Sequence, residues 1–307
     1  MDKDLLSIKD LKIQDIEMLF QMAEDLKKRR KRGEKIIHLL DGKSLGLLFE
    51  KPSTRTRISF EIAMRELGGN SLFLPSDQLQ LKRGELLGDA AKIFSLYLDA
   101  LVVRTYNHEN LIELAQNATI PIINGLSDFS HPCQVLSDMF TIKEKKGELK
   151  NLKLTFVGAG NNVCNSWIYG AAKTNLNLVI SSPKGYEPKA GILKNALNIN
   201  QKCKIELISD PLQAVKGADI IYTDVWVSMG EEKEREERIN AFKGFQVNKK
   251  LVNLAKKNVL VMHCLPAHRG EEITGEVLDG SSSIVWEQAE NKLHLQKALL
   301  VLLLGEK

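Results

Sequence analysis

The sequence predicts an α/β protein of two domains, each a mostly parallel sheet flanked by helices, with an active site in the cleft between them. Three observations carry that expectation. Short apolar runs rich in β-branched residues alternate with amphipathic stretches of helical length. The alternation is interrupted once, by the polar, basic stretch KEKKGELKN at 143–151, and then resumes. The unusual polar residues also fall at the ends of the strand candidates, where open parallel sheets bind ligands.

The elements follow in order. Ile13, Ile16, Leu19, Phe20, Ala23 and Leu26 mark one apolar face of a first helix. It ends in KKRRKRG, a cationic last turn that complements the helix dipole and is closed by Gly33. Without interleaved aromatic residues that run does not favour a nucleic-acid patch. Strands are expected at 44–50, 70–75, 100–105 and 121–125, with helices at about 54–67, 85–98, 107–117 and 133–147. Beyond the interruption, strands are expected at 152–158, 176–182, 204–209, 218–225 and 259–264, and a final helix at 289–304. The charge-dense GEEKEREERINAF (230–242) reads as a solvated helix face or a mobile loop.

Composition excludes several classes. The 307 residues are 43% hydrophobic and 27% charged, ordinary values for a globular chain with a real core. A net charge of +4 is too small to argue for nucleic acid. ALLVLLLG near the C-terminus falls far short of the roughly 20 apolar residues of a membrane span, and MDKDLLSIKD has no signal-peptide apolar region. Four cysteines at 133, 164, 203 and 264 show no CxxC spacing, which points to a reducing, cytoplasmic setting.

The chemistry-bearing residues cluster. Ser53, Thr54, Arg55, Thr56 and Arg57 open a helix, where free N–H groups and the dipole bind anions. Ser53 or Thr54 can cap that helix. Two arginines there oppose the dipole unless an oxyanion lies between them, and the glycines and lysine of a Walker A loop are absent. Arg104 ends the third strand, and His131 and Gln134, in HPCQ, follow the fourth. In the second half Asn161 and Asn162 follow the first strand, Asp224 ends the fourth, and HCLP (263–266) ends the fifth. FVGAGNNV supplies only two glycines of a dinucleotide fingerprint, with Val163 in the third position. Its asparagines, with donors and acceptors, suit a zwitterion better. His131, Cys133, His263 and Cys264 lack the usual zinc spacings. Adjacent strand residues point to opposite faces, which argues against a His263–Cys264 nucleophile pair. Asp224 is placed to cap a turn or to bind an amine.

STRTR, HPCQ, GNN, DVWVSMG and HCLPAHRGEE, in this order and spacing, resemble the aspartate/ornithine carbamoyltransferase family over almost the whole chain, with SMG and HCLP nearer its ornithine branch. The resemblance implies transfer of a carbamoyl group from carbamoyl phosphate to the δ-amine of L-ornithine, giving L-citrulline and phosphate, without cofactor or metal. Another acceptor, such as putrescine or N-acetylornithine, is the alternative. It implies a carbamoyl-phosphate domain (1–148, joined by the helix 289–307), an ornithine domain (149–288) and a homotrimer. It also implies that Ser53, Thr54, Arg55, Thr56, Arg104, His131, Pro132, Cys133, Gln134 and Lys292 bind carbamoyl phosphate, with Gln80 reaching in from a neighbouring subunit. Asn162, Asp224, Ser228, Met229, Cys264 and Leu265 would bind ornithine. Arg55, Thr56, Arg104, His131 and Cys264 would carry the reaction. Lys292 stands where the family usually has arginine, Lys82 where glycine is common, and Ala159 where aspartate is frequent.

Overall fold

The computed structural model describes residues 1–305, and the chain divides into two compact units. One comprises Met1–Phe140 with the segment from Glu290 onward; the other is Thr141–Ala289.

In the first unit α1 (Ile13–Lys31) leads to β1 (Ser44–Phe49), α2 (Arg55–Glu66), β2 (Asn70–Pro75), α3 (Leu87–Tyr97), β3 (Ala100–Arg104), α4 (His108–Asn117), β4 (Ile122–Leu126) and the first part of α5 (Pro132–Lys146). The sheet is wholly parallel, in the order β2-β1-β3-β4. Its strands are short apolar runs because both faces are covered by helices; Leu101, Val103, Leu111 and Ile122 pack in one such core. The outer edge of β4 is covered by the N-terminal strap, where Leu5 N–H donates to Ile122 and the Leu5 carbonyl accepts from Asn124. That blunts an open edge.

The basic end of α1 is used internally. Lys27 donates to Asn291, Arg29 pairs with Glu34, and Arg30 pairs with Glu66. Glu66 also takes Lys297 at 2.9 Å.

The second unit runs β5 (Lys153–Val157), α6 (Asn162–Thr174), β6 (Asn177–Ser181), α7 (Ala190–Ile199), β7 (Ile205–Leu207), α8 (Pro211–Ala214) and β8 (Ile220–Thr223). Then come α9 (Arg235–Ala241), α10 (Lys249–Val252), β9 (Leu260–His263), α11 (Gly275–Leu278) and the start of α12 (Val285–Leu304). Its five strands are parallel in the order β7-β6-β5-β8-β9. Val261 N–H and carbonyl both bond the segment 282–284, which covers the edge of β9.

Three details differ from the sequence expectation. The final helix begins at Val285, not 289, because its first turn carries the apolar Val285 and Trp286 outside the polar pattern. The seventh strand is only three residues long. The charged stretch 230–242 is not wholly solvated, since Arg238 within it is buried.

Strand order locates the functional ends. In each sheet the connections run outward in opposite directions from one adjacent pair, β1/β3 in the first and β5/β8 in the second. Such switch points open a crevice at the carboxyl ends of the strands.

Candidate active site

At the first switch point the register pairs Phe49 with Arg104, so the loop after β1 and the end of β3 emerge side by side. Glu50 N–H donates to the Arg104 carbonyl at 2.8 Å, and the Glu50 carboxylate accepts from Thr105 Oγ1 and Tyr106 N–H. Lys51 is buried, pairs with Asp128 and lies 4.0 Å from the Tyr106 ring centroid. These contacts anchor the segment just before Ser53.

Thr54 occupies the N-cap of α2, but its side chain makes no capping bond; the expected hydroxyl cap does not form. Thr56 is buried. A Cβ added at Gly125 would lie 2.9 Å from Val102 Cγ1 and 3.7 Å from Thr56 Cγ2, so β4 needs a glycine where it passes this corner. The two arginines part company. Arg57 donates to Glu61 at 2.9 Å and stacks 3.6 Å from the Phe73 ring centroid, which leaves Arg55 as the helix-start cation of the corner.

His131 is buried just before α5. Burial first, then the charges of Lys292, Arg104 and Arg55, holds its imidazole well below the ordinary histidine range. It is therefore a neutral ring with one N–H donor at pH 7. Gln134 donates through Nε2 to Asp138 and accepts at Oε1 from Lys292 Nζ, both at 2.8 Å. This fixes the orientation of its amide. Lys292 is itself buried, and burial followed by the charge of Arg104 pushes its ammonium down to about 8. The Cys133 thiol turns to the Asn124 carbonyl at 3.4 Å and is pushed up to about 12 by burial, an inert structural thiol. Gln80 is exposed in the helical turn Gln80–Arg83.

The second switch point is organised by Asp224. The registers Val157↔Thr223 and Thr223↔His263 align the ends of β5, β8 and β9, so the residues immediately beyond them meet. Asp224 accepts from Asn161 Nδ2 at 2.7 Å, from the Cys264 thiol at 2.9 Å and from Val225 N–H at 2.8 Å. Asn161 caps α6, its Oδ1 accepting from Val163 and Cys164 N–H; Asn162 is the first residue of that helix and half-buried. Leu265 has a left-handed backbone, φ 59, unfavourable for a branched residue. Its N–H donates to His263 Nδ1 at 2.8 Å, and His263 Nε2 meets the Glu272 carboxylate at 3.0 Å. His263 is thus an Nε2–H tautomer that holds the turn. The Ser228–Met229 segment follows, with Ser228 half-buried and Met229 exposed.

The GAG turn is not an open pyrophosphate cradle. A Cβ at Gly160 would lie 2.2 Å from the Pro188 nitrogen, and Gly160 N–H donates to the Tyr186 carbonyl. The space this glycine frees is filled by the chain itself. Asp224, His263 and Cys264 carry donor atoms within 4.8 Å of one another. A metal there would have to displace the Cys264–Asp224 and Leu265–His263 bonds.

Asn161, His263 and Glu272 therefore take structural parts in the site that the sequence did not assign. Asn161 was signalled by its place just beyond β5. Nothing in the sequence joined Glu272 to His263.

Known proteins resemble the chain over almost its whole length. Residues 3–144 match the model of the aspartate/ornithine carbamoyltransferase carbamoyl-P binding domain, and residues 150–303 that of the Asp/Orn binding domain. An ornithine carbamoyltransferase from Syntrophus aciditrophicus is 51% identical over 304 residues, 99% of this chain and all of that protein. The anabolic ornithine carbamoyltransferase from Pyrococcus furiosus is 50% identical over 99% of this chain and 96% of its own length. The solved Pyrococcus furiosus structure matches with a TM-score of 0.95 over 99% of this chain and 98% of that one. The Thermus thermophilus structure matches at 0.90 with 40% identity, over 99% of this chain and all of that one.

Proposed function

The chain belongs to the aspartate/ornithine carbamoyltransferase family, and from that premise we propose that it transfers the carbamoyl group of carbamoyl phosphate to the δ-amine of L-ornithine, giving L-citrulline and phosphate. The observation that carries the acceptor assignment is the meeting of GNN, DVW and HCLP on one carboxylate, Asp224. A free α-ammonium group calls for an anion beside it; the acylated nitrogen of N-acetylornithine, which carries no charge, does not.

The residues divide the work. Ser53, Thr54, Arg55, Thr56 and Arg104 bind the phosphate. His131, Gln134 and Lys292 hold the carbamoyl group, with the flanking Pro132 and Cys133 shaping its place. Asn162, Asp224, Ser228 and Met229 take the amino-acid end, and Cys264 and the backbone of Leu265 lie beside the reacting amine. Attack forms the N–C bond and places negative charge on the carbonyl oxygen. Thr56, Arg104 and the neutral His131 donate to that oxyanion, the kind of contribution usually largest in acyl transfer. Collapse breaks the C–O bond to phosphate, and the amine proton leaves with the phosphate. The arginines offset the charge of the departing group. Aligning the two substrates supplies much of the remaining acceleration.

We place the chain in arginine biosynthesis and in the cytoplasm. The reading rests on four cysteines without CxxC spacing, a usage that suits a reducing compartment. Residues 1–148 with the helix from 289 form the carbamoyl-phosphate domain in this reading, and 149–288 the ornithine domain. We also propose a homotrimer. Leu86, Ile93, Leu96 and Tyr97 give α3 an exposed apolar face, with Leu96 and Tyr97 both 75% exposed, an arrangement that favours association. In such an assembly Gln80 would serve a neighbour's phosphate.

The deciding experiment is a citrulline assay with carbamoyl phosphate and four acceptors: ornithine, putrescine, aspartate and N-acetylornithine. Strong ornithine preference, with activity rising as the amine deprotonates, is expected. Turnover with another acceptor would overturn the reading of Asp224.

A further inference from the structure

The segment Trp226–Glu234 lies between Asp224 and α9 and contains Ser228 and Met229. Its charge predicts solvation, yet one cation within the neighbouring α9 is buried: Arg238 is 9% exposed. Its guanidinium spends three N–H groups in three directions. Nη1 donates to the Trp226 carbonyl at 3.2 Å, Nη2 to Glu231 Oε1 at 2.7 Å, and Nε to Glu234 Oε2 at 3.0 Å. Its Cζ lies 5.2 Å from the Tyr186 ring centroid, and Tyr186, Trp226 and Phe242 pack together beside it.

The second carboxylate oxygen of Glu231 accepts the Ser228 N–H at 2.9 Å, and Glu231 N–H donates to the Ser228 carbonyl at 3.0 Å. Both backbone polar groups of Ser228 are thus held by Glu231, and Glu231 is held by Arg238. A guanidinium can fill this position because its donors are fixed in one plane and always charged. The chain of contact ends on the backbone of Ser228, the residue read above as binding the acceptor.

We infer that Arg238 and Glu231 are positioning residues for the amino-acid acceptor, acting as one unit through the backbone of Ser228. This rests on the acceptor reading above. Carbamoyl phosphate binding draws on other residues, so loss of the unit weakens ornithine binding selectively.

The test is steady-state kinetics of Arg238→Met, Glu231→Ala and the double variant, with thermal midpoints alongside. Each single variant is expected to raise the ornithine KM about tenfold, with kcat and the carbamoyl phosphate KM within about threefold. The double variant should be no worse than the worse single one, because the residues act in series. Arg238→Lys should not restore the KM, since an ammonium cannot serve three divergent acceptors in one plane. If Arg238→Met does not fold, Glu231→Ala, on a partly exposed loop, carries the test. Additive effects, an unchanged ornithine KM, or equal rises in both KM values would overturn the inference while wild-type turnover keeps the activity. A wild-type protein that binds carbamoyl phosphate but makes no citrulline would overturn both.

Discussion

Lys292 Nζ donates to Gln134 Oε1 at 2.8 Å in a buried setting, so a titratable cation orients the amide that we assign to the carbamoyl group. Its ammonium is pushed down to about 8 because burial penalises charge and Arg104 repels it. An arginine would stay charged throughout this range. Carbamoyl phosphate binding, measured calorimetrically without ornithine from pH 7 to 9.5, should weaken as pH rises through about 8. The Lys292→Arg variant should show no such fall. A wild-type profile as flat as the variant's would remove Lys292 from the carbamoyl site.

Arg55 and Arg57 are two residues apart, but Arg57 is engaged by Glu61 and Phe73, whereas the charge of Arg55 acts on His131, which is why we assign Arg55 to the phosphate. Arg55→Ala should lower kcat/KM for carbamoyl phosphate at least about a hundredfold, the scale of one lost charge-stabilising contact in a dry site. Arg57→Ala, which removes an exposed ion pair with Glu61 and a stack on Phe73, should change it by no more than about threefold. Equal losses in the two variants would contradict this division.

Those two arginines also show what the sequence could and could not convey. The corner was legible because apolar runs mark strand ends and parallel sheets bind ligands there. Which arginine faces it was not, because residues two apart on a helix point about 200° apart and the choice depends on Glu61 and Phe73. Asp224 was legible as the acidic residue at an apolar strand end, whereas its partner Asn161 required the register of β5 and β8. The start of α12 was obscured by its own interior. Gln288, Asn291, Lys292, His294 and Lys297 are all buried while Trp286 is 62% exposed, which inverts the usual amphipathic pattern.

Asp224→Asn keeps a side chain of the same shape but removes the negative charge. It should raise the ornithine KM about a hundredfold, the loss of one charge-assisted bond of about 2–3 kcal/mol. The carbamoyl phosphate affinity should not change. If the variant instead lowered kcat and left the ornithine KM intact, Asp224 would act on the reacting amine and not on the α-ammonium.

His294 gives a prediction about acid stability. It is buried on α12, and burial, followed by the charges of Lys27, Lys297, Arg30 and Lys31, pushes its imidazole down to about 3. The sign follows from linkage. Below about 6.5 the unfolded chain binds this proton and the folded chain does not, so stability falls as pH drops from 6.5 toward 3. His131 titrates in the same direction. Replacing His294 by leucine, of comparable bulk and without a proton site, removes its share. The wild type should lose about 2 kcal/mol more than the His294→Leu variant between pH 7.5 and pH 5, measured by urea unfolding at each pH. The variant's stability at pH 7.5 sets only the offset between the two curves; the difference in slope carries the test. Parallel curves would mean that His294 takes up its proton in the folded protein as readily as in the unfolded chain, with Glu290, 3.7 Å away, as its counter-charge.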